Sequence, residues 1–217
     1  YADRPGIVGW YLIPEEMRCW RDNEMQFMQA GYEGGKQGDP QNRPVWMYEP
    51  NHRTTAALAQ TLRFQDICGK GIYTNYAGKI DERIWVRWSI EQELGAIAEL
   101  GRDDAIAIAV PEMFQQPEPD MVHMVPKWAR HDAYLALVSG AQGIIVYSAA
   151  NRRGFTARDT YFDAYAQVCR ELNGEMALGQ VFLFGEKRDD LAIRIIGGPA
   201  EVTLTQSSSA RIEGDTL

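Results

Sequence analysis

Three glutamates in this chain stand where parallel α/β folds do chemistry. Glu15 and Glu16 follow the apolar run IVGWYLI (7–13) through Pro14, and Glu112 follows the apolar run AIAIAV (105–110) through Pro111. A carboxylate just beyond a buried strand is anchored by the strand and still reaches the loops that carry the site. Two such carboxylates on different strands suit cleavage of a glycosidic bond. One protonates the leaving oxygen, and the other attacks the anomeric carbon or activates water. Glu15 and Glu112 make the best pair, since each follows a strand and a proline that sets the turn. Glu16 competes with Glu15, with its side chain on the opposite side. A plainer reading is local. Pro14 fits the first turn of a helix, where acidic residues complement the helix dipole. Glu112 would likewise cap a helix or lie in a loop.

Other polar residues gather at strand ends. Glu49, Asn51, His52 and Arg53 end or follow PVWMYE (44–49); Tyr73 and Tyr76 end or follow ICGKGIYT (67–74); Tyr147 ends AQGIIVYS (141–148). Polar ends on five runs suggest a pocket lined by carboxylates, rings and amides. The candidates for substrate contact are Glu49, Asn51, His52, Tyr73, Tyr76, Tyr147 and, in DERIWVRW (81–88), Trp85. Each has a simpler role open to it. Glu49 and Pro50 can begin a turn, Asn51 can cap a helix starting near Thr54, and the rings can be core side chains. A hydroxyl donated by Tyr73 or Tyr76 would hold Glu112 ionised. His131 reads as structural, and His123 lacks partner ligands. No metal-binding spacing, nucleophile elbow or phosphate-binding loop occurs, so neither metal nor cofactor is expected.

The elements that must position these residues alternate. Between the apolar runs lie segments of helical periodicity at 16–30, 54–65, 88–100, 127–139 and 159–172. Such alternation predicts βα units on a parallel sheet, and AIAIAV fits a strand covered on both faces. Five units accommodate two architectures: an open doubly wound sheet, or part of a (β/α)8 barrel, which takes eight units and about 250 residues. After Gly179 the pattern changes to short apolar runs around a Gly-Gly-Pro turn, which predicts a short antiparallel β appendage. The expected division is therefore 1–178 and 179–217.

The chain has 217 residues, is 45% hydrophobic and 24% charged, and carries a net charge of -8. Without a basic patch it is not expected to bind nucleic acid. No run approaches about 20 apolar residues, so no membrane span is expected. Cys19, Cys68 and Cys169 are far apart and read as reduced core residues. No signal peptide is visible, and a start at Tyr1 suggests sequence upstream. A soluble protein is expected, with the compartment left open between periplasm or exterior and cytoplasm.

GWYLIPEE (9–16), followed three strands later by AIAVPEMF (107–114), resembles the retaining glycoside hydrolases of the large (β/α)8 superfamily called clan A. GWYLIPE is also similar to the GWYL-x-D-E segment of bacterial β-galactosidase-like and cellulase-like barrels, with Glu15 on the glutamate. The resemblance covers about residues 6–185. It implies that the five strands are strands four to eight of a TIM barrel, with Glu15 as acid/base, Glu112 as nucleophile and a carbohydrate substrate. The two carboxyls would lie about 5–5.5 Å apart. The first three strands would come from upstream sequence or a complementing chain, packed beside residues 7–13 and 143–148. Pro14 stands where the family has an Asn that contacts the sugar 2-hydroxyl, and Tyr147 where it has a Trp. The change at Pro14 favours an alternative, a barrel that binds carbohydrate or serves as a scaffold without chemistry. A third reading is an open-sheet α/β enzyme acting on another small molecule.

Overall fold

The structure, a computed structural model, describes Arg4 and residues 6–186. Four parallel strands form one sheet in the order of the sequence. β1 (Trp10–Tyr11) pairs with β2 (Val45–Glu49), β2 with β3 (Ile67–Ile72), and β3 with β4 (Ile106–Pro111). Segment 141–148 extends the sheet past β4 through two isolated parallel bridges, Ala109 to Ile144 and Glu112 to Tyr147. Helices α1 (Asp22–Gly38), α2 (Thr55–Thr61), α3 (Trp85–Leu100), α4 (Val125–Val138) and α5 (Arg158–Asn173) connect or follow these strands. The chain is thus an α/β protein with a parallel sheet. No helix among the described residues is long and apolar enough to cross a membrane.

The alternation of side chains along each strand assigns the two faces of the sheet. Met47 packs with Met28 of α1, and Cys68 with Leu58 of α2 and Ala96 of α3. Ile72 and Ala109 pack with Ile90 of α3 and Ala136 of α4. The intervening positions point the other way. Trp46, Tyr48, Ile67, Ile108 and Val110 form a cluster with Tyr73 and Phe114 that contains no helical residue. Among the described residues, then, α1 to α4 cover one face, and the other carries aromatic and aliphatic side chains. A doubly wound sheet reverses its strand order and has helices on both faces; neither feature is found among the described residues.

Local sequence explains most boundaries. In α3, Trp85, Ser89, Glu93 and Ala96 are buried at helical spacing. That helix ends at Gly101, whose φ of 61° supplies the left-handed cap residue. In β3, Gly69 and Gly71 face the ring cluster. A Cβ on Gly69 would lie 2.5 Å from Trp46 Nε1, and one on Gly71 would meet the Tyr48 hydroxyl. The two glycines let the rings of β2 lie across β3.

Several expectations need correction. α1 begins at Asp22, so Pro14, Glu15 and Glu16 lie in the preceding loop and cap no helix. The run 7–13 contributes only Trp10 and Tyr11 to a strand, and 141–148 only its two bridges. Each lies at an edge of the sheet, where, among the described residues, one side of the ladder has no neighbour. The N-cap of α2 is Thr54, not Asn51. Leu178–Phe184 form helix α6 where a short strand was expected, because four apolar residues do not distinguish the two by periodicity. The rest of the expected β appendage, 187–217, lies outside the described residues. The three cysteines are free, but only Cys68 is in the core; Cys19 is half-buried and Cys169 exposed.

Candidate functional site

At the C-terminal edge of the sheet, three tyrosines come together: Tyr48 of β2, Tyr73 just after β3, and Tyr147 of segment 141–148. The ring centroids of Tyr48 and Tyr73 are 5.8 Å apart, those of Tyr73 and Tyr147 5.9 Å, and those of Tyr48 and Tyr147 6.1 Å. Phe114 meets Tyr73 and Tyr147 edge-on at 5.0 and 5.8 Å. In a flat sheet β2 and segment 141–148 would be three strand spacings apart, about 14 Å. The rings therefore converge over the ring-bearing face, above the space left by Gly69 and Gly71.

Glu15 lies beside this group. It is exposed, and the Tyr11 hydroxyl donates to its Oε2. Glu16 has a left-handed φ of 61°, and its amide donates to the Tyr48 carbonyl at 3.3 Å, which turns the chain after Glu15. Burial raises the phenol pKa of both Tyr48 and Tyr73, and the negative charges of Glu15 and Glu16 add to that rise. The two phenols thus stay neutral beside Glu15 and hydrogen-bond each other. A cavity of about 630 Å³ opens on the same loop, with Glu15, Glu16, Trp20, Phe27, His52 and Arg53 on its wall.

Glu112 has a different environment. It is only 2% exposed. Its Oε1 accepts the Asn75 amide at 2.5 Å and its Oε2 the Tyr76 amide at 3.0 Å, while its carbonyl accepts the Tyr165 hydroxyl at 3.2 Å. Burial pushes its pKa up to about 7, against the two amides that favour the charged form. The loop that supplies those amides is fixed from α4. Arg83 donates to Thr74 Oγ1 at 2.7 Å, to Asn75 Oδ1 and to Asp132, and its guanidinium lies 4.7 Å from the centroid of the Trp128 ring. Asn75 Nδ2 donates to the Tyr161 hydroxyl at 2.7 Å.

The expected site is therefore brought together only in part. Glu15 and His52 share the cavity, but Glu112 is not on its wall, because the Asn75 and Tyr76 amides hold it beside the β3 loop. Tyr76 reaches Glu112 through its backbone and not its phenol, and Tyr73 pairs with Tyr48 instead. Tyr147 is part of the ring group, and Asn51 is half-buried outside the cavity wall. Two expectations fail on burial. Glu49 is fully buried on the helical side, where its Oε1 accepts Gln65 Nε2 at 2.9 Å. Trp85 is buried and stacked on Trp88 at 5.8 Å, facing the sheet.

The sequence reading missed Tyr11, Tyr48, Phe114 and Trp20. For Tyr48 a signal exists, since it shares its strand face with Trp46 and lies opposite glycines spaced by two. Between the sheet and α3 lies a further polar group. Lys70 is fully buried, and its Nζ has no hydrogen-bond partner among the described residues. That nitrogen sits 3.7 Å from the Trp88 ring centroid, and burial lowers its pKa to about 7. Glu93 Oε1 accepts the Lys70 amide at 2.9 Å. Among the described residues no group of three or more His, Cys, Asp and Glu side chains is placed to hold a metal ion. No protein-family model matches the chain, and no curated protein matches it.

Proposed function

We propose that this chain is the C-terminal part of a (β/α)8 barrel that hydrolyses glycosidic bonds in an oligo- or polysaccharide, with Glu15 and Glu112 as its two carboxylates. The sequential strand order and the helices on one face support the barrel, because right-handed βα units of one sense wind a sheet in that way. The observation that carries the activity is the placement of Glu15 and Glu112 just beyond β1 and β4, at the same edge of the sheet as the Tyr48, Tyr73 and Tyr147 rings. In the retaining course, Glu15 gives its proton to the leaving oxygen while Glu112 attacks the anomeric carbon. Glu15 then takes a proton from the water that releases the sugar. A carboxylate offers about four lone-pair sites, so the two amides on Glu112 leave each of its oxygens able to react. The test is hydrolysis of a panel of 4-nitrophenyl glycosides, with the anomeric form of the product followed by NMR. Release of nitrophenol with retained configuration is the expected result; no hydrolysis of any member contradicts the proposal.

One observation favours a second reading. Both Glu112 oxygens are engaged by backbone amides in a nearly closed position, which suits a structural carboxylate in a barrel that binds carbohydrate without cleaving it. Saturable sugar binding without hydrolysis would select this reading.

A further inference from the structure

The cavity beside Glu15 has features that the two carboxylates do not use. Trp20 on its wall is 68% exposed and Phe27 52%. Large rings left in water beside a concavity suit a ligand with a flat apolar face. Trp20 is also held in place. The Arg53 guanidinium lies 5.6 Å from its ring centroid. Arg53 is itself almost fully buried, donating to the Met17 carbonyl and, at 3.1 Å, to Cys19 Sγ. One face of the indole is thus backed by a fixed cation, and the other is free for a ligand. The cavity volume of about 630 Å³ lies within the range of small-molecule sites, about 300–1,000 Å³.

Charge narrows the ligand. Glu24 on the same wall is engaged by the Arg18 side chain and, at 2.7 Å, by its amide. Arg53 is engaged with the loop and with Glu49 at 3.6 Å. Glu16 remains beside Glu15 with no cation of the wall left to pair with it, so the open part of the cavity has acidic character and disfavours uronates and sulfated sugars. A neutral pyranose fits both features. Its face of C–H bonds stacks on an indole, and its hydroxyls donate to carboxylates.

We infer that Trp20, with Phe27 on the same cavity wall, is the stacking platform of a subsite for the leaving-group side of a neutral oligosaccharide, next to Glu15. This rests on the glycosidase reading for the direction of the chain, but not for the binding itself. The test uses isothermal titration calorimetry with neutral cello-, xylo-, malto- and galacto-tetraose, and tetragalacturonate as the acidic counterpart. Wild type is expected to bind one neutral tetraose at least tenfold more tightly than tetragalacturonate. Trp20→Ala should weaken that binding at least tenfold, and Trp20→Phe should restore part of it. Phe162→Ala, which removes another exposed ring, on α5 and away from the cavity wall, should leave it unchanged. Circular dichroism confirms that the variants fold. Binding of none of the neutral sugars, or equal binding by Trp20→Ala and wild type, overturns the inference. Failure to cleave nitrophenyl glycosides with Trp20-dependent binding intact overturns only the hydrolytic reading. Cleavage with Trp20-independent binding overturns only the subsite.

Discussion

Two residues carry most of the chemical argument, and their surroundings differ in kind. Glu15 stands in an open cavity with a tyrosine hydroxyl on it, whereas Glu112 is buried under two amides. The raised pKa of Glu112, about 7, makes its role readable from kinetics. A nucleophile must be ionised, so kcat/KM should fall as pH drops through about 7, approaching tenfold per unit below it. A limb falling above pH 7 instead would make Glu112 the acid and reverse the two roles. The loop that holds Glu112 depends on a buried ion pair. Replacing Asp132 by Ala leaves the Arg83 charge without its carboxylate and should destabilise the fold by about 3–5 kcal/mol, measured by urea unfolding. A loss below 1 kcal/mol would show that the loop is held by other contacts.

Among the elements, β3 matters most, because its sequence ICGKGI does opposite things on its two faces. Gly69 and Gly71 give up volume to Trp46 and Tyr48, and Lys70 between them is driven into the layer under α3. Gly71→Ala should displace the Tyr48 hydroxyl and disturb the ring triangle, at about 1–3 kcal/mol of stability. An unfolding midpoint equal to wild type would mean that Tyr48 moves aside freely. The alternation of β2, β3 and β4 with helices was legible, since buried central strands are apolar runs of five or six residues between helical patterns. The edge runs were over-read, because apolar character at 7–13 and 141–148 cannot create the missing neighbour. Trp85 was misjudged because α3 starts there, three residues before the expected helix at 88, which turns a loop ring into a core ring. Burial of Glu49 followed from strand parity, which puts it on the face of Met47. The orientation of Glu112 was not legible, because the amides of a distant loop decide it.

For the whole molecule, buried titratable side chains shape the pH dependence of stability. Burial raises Glu49 and Glu112 to about 7 and lowers Lys70 to about 7. For the two carboxylates the folded state holds more protons than the unfolded one between about pH 4.5 and 7, so their contribution is lost as pH rises through that window. Lys70 acts in the opposite sense. Above about pH 7 it is neutral when folded and still charged when unfolded, so its contribution to stability rises from about pH 7 to 10.5. Lys70→Met removes the buried amine, and relative to wild type it should be more favourable at pH 6 than at pH 9 by about 2–3 kcal/mol. Equal effects at both pH values would show that the amine keeps its charge in the fold. The one-sided placement of α1 to α4 leaves a face of rings and aliphatic side chains toward the proposed barrel interior, and the account depends on that face ending in a working pair of carboxylates.

The most direct measurement is kcat/KM for the best nitrophenyl glycoside with wild type, Glu15→Gln and Glu112→Gln, each confirmed folded. The account predicts that Glu112→Gln lowers kcat/KM at least a thousandfold. Glu15→Gln should lower it less, because nitrophenolate leaves with little need of a proton. Activity of Glu112→Gln within tenfold of wild type would contradict the assignment of Glu112 as the nucleophile, and with it the two-carboxylate mechanism proposed for this chain.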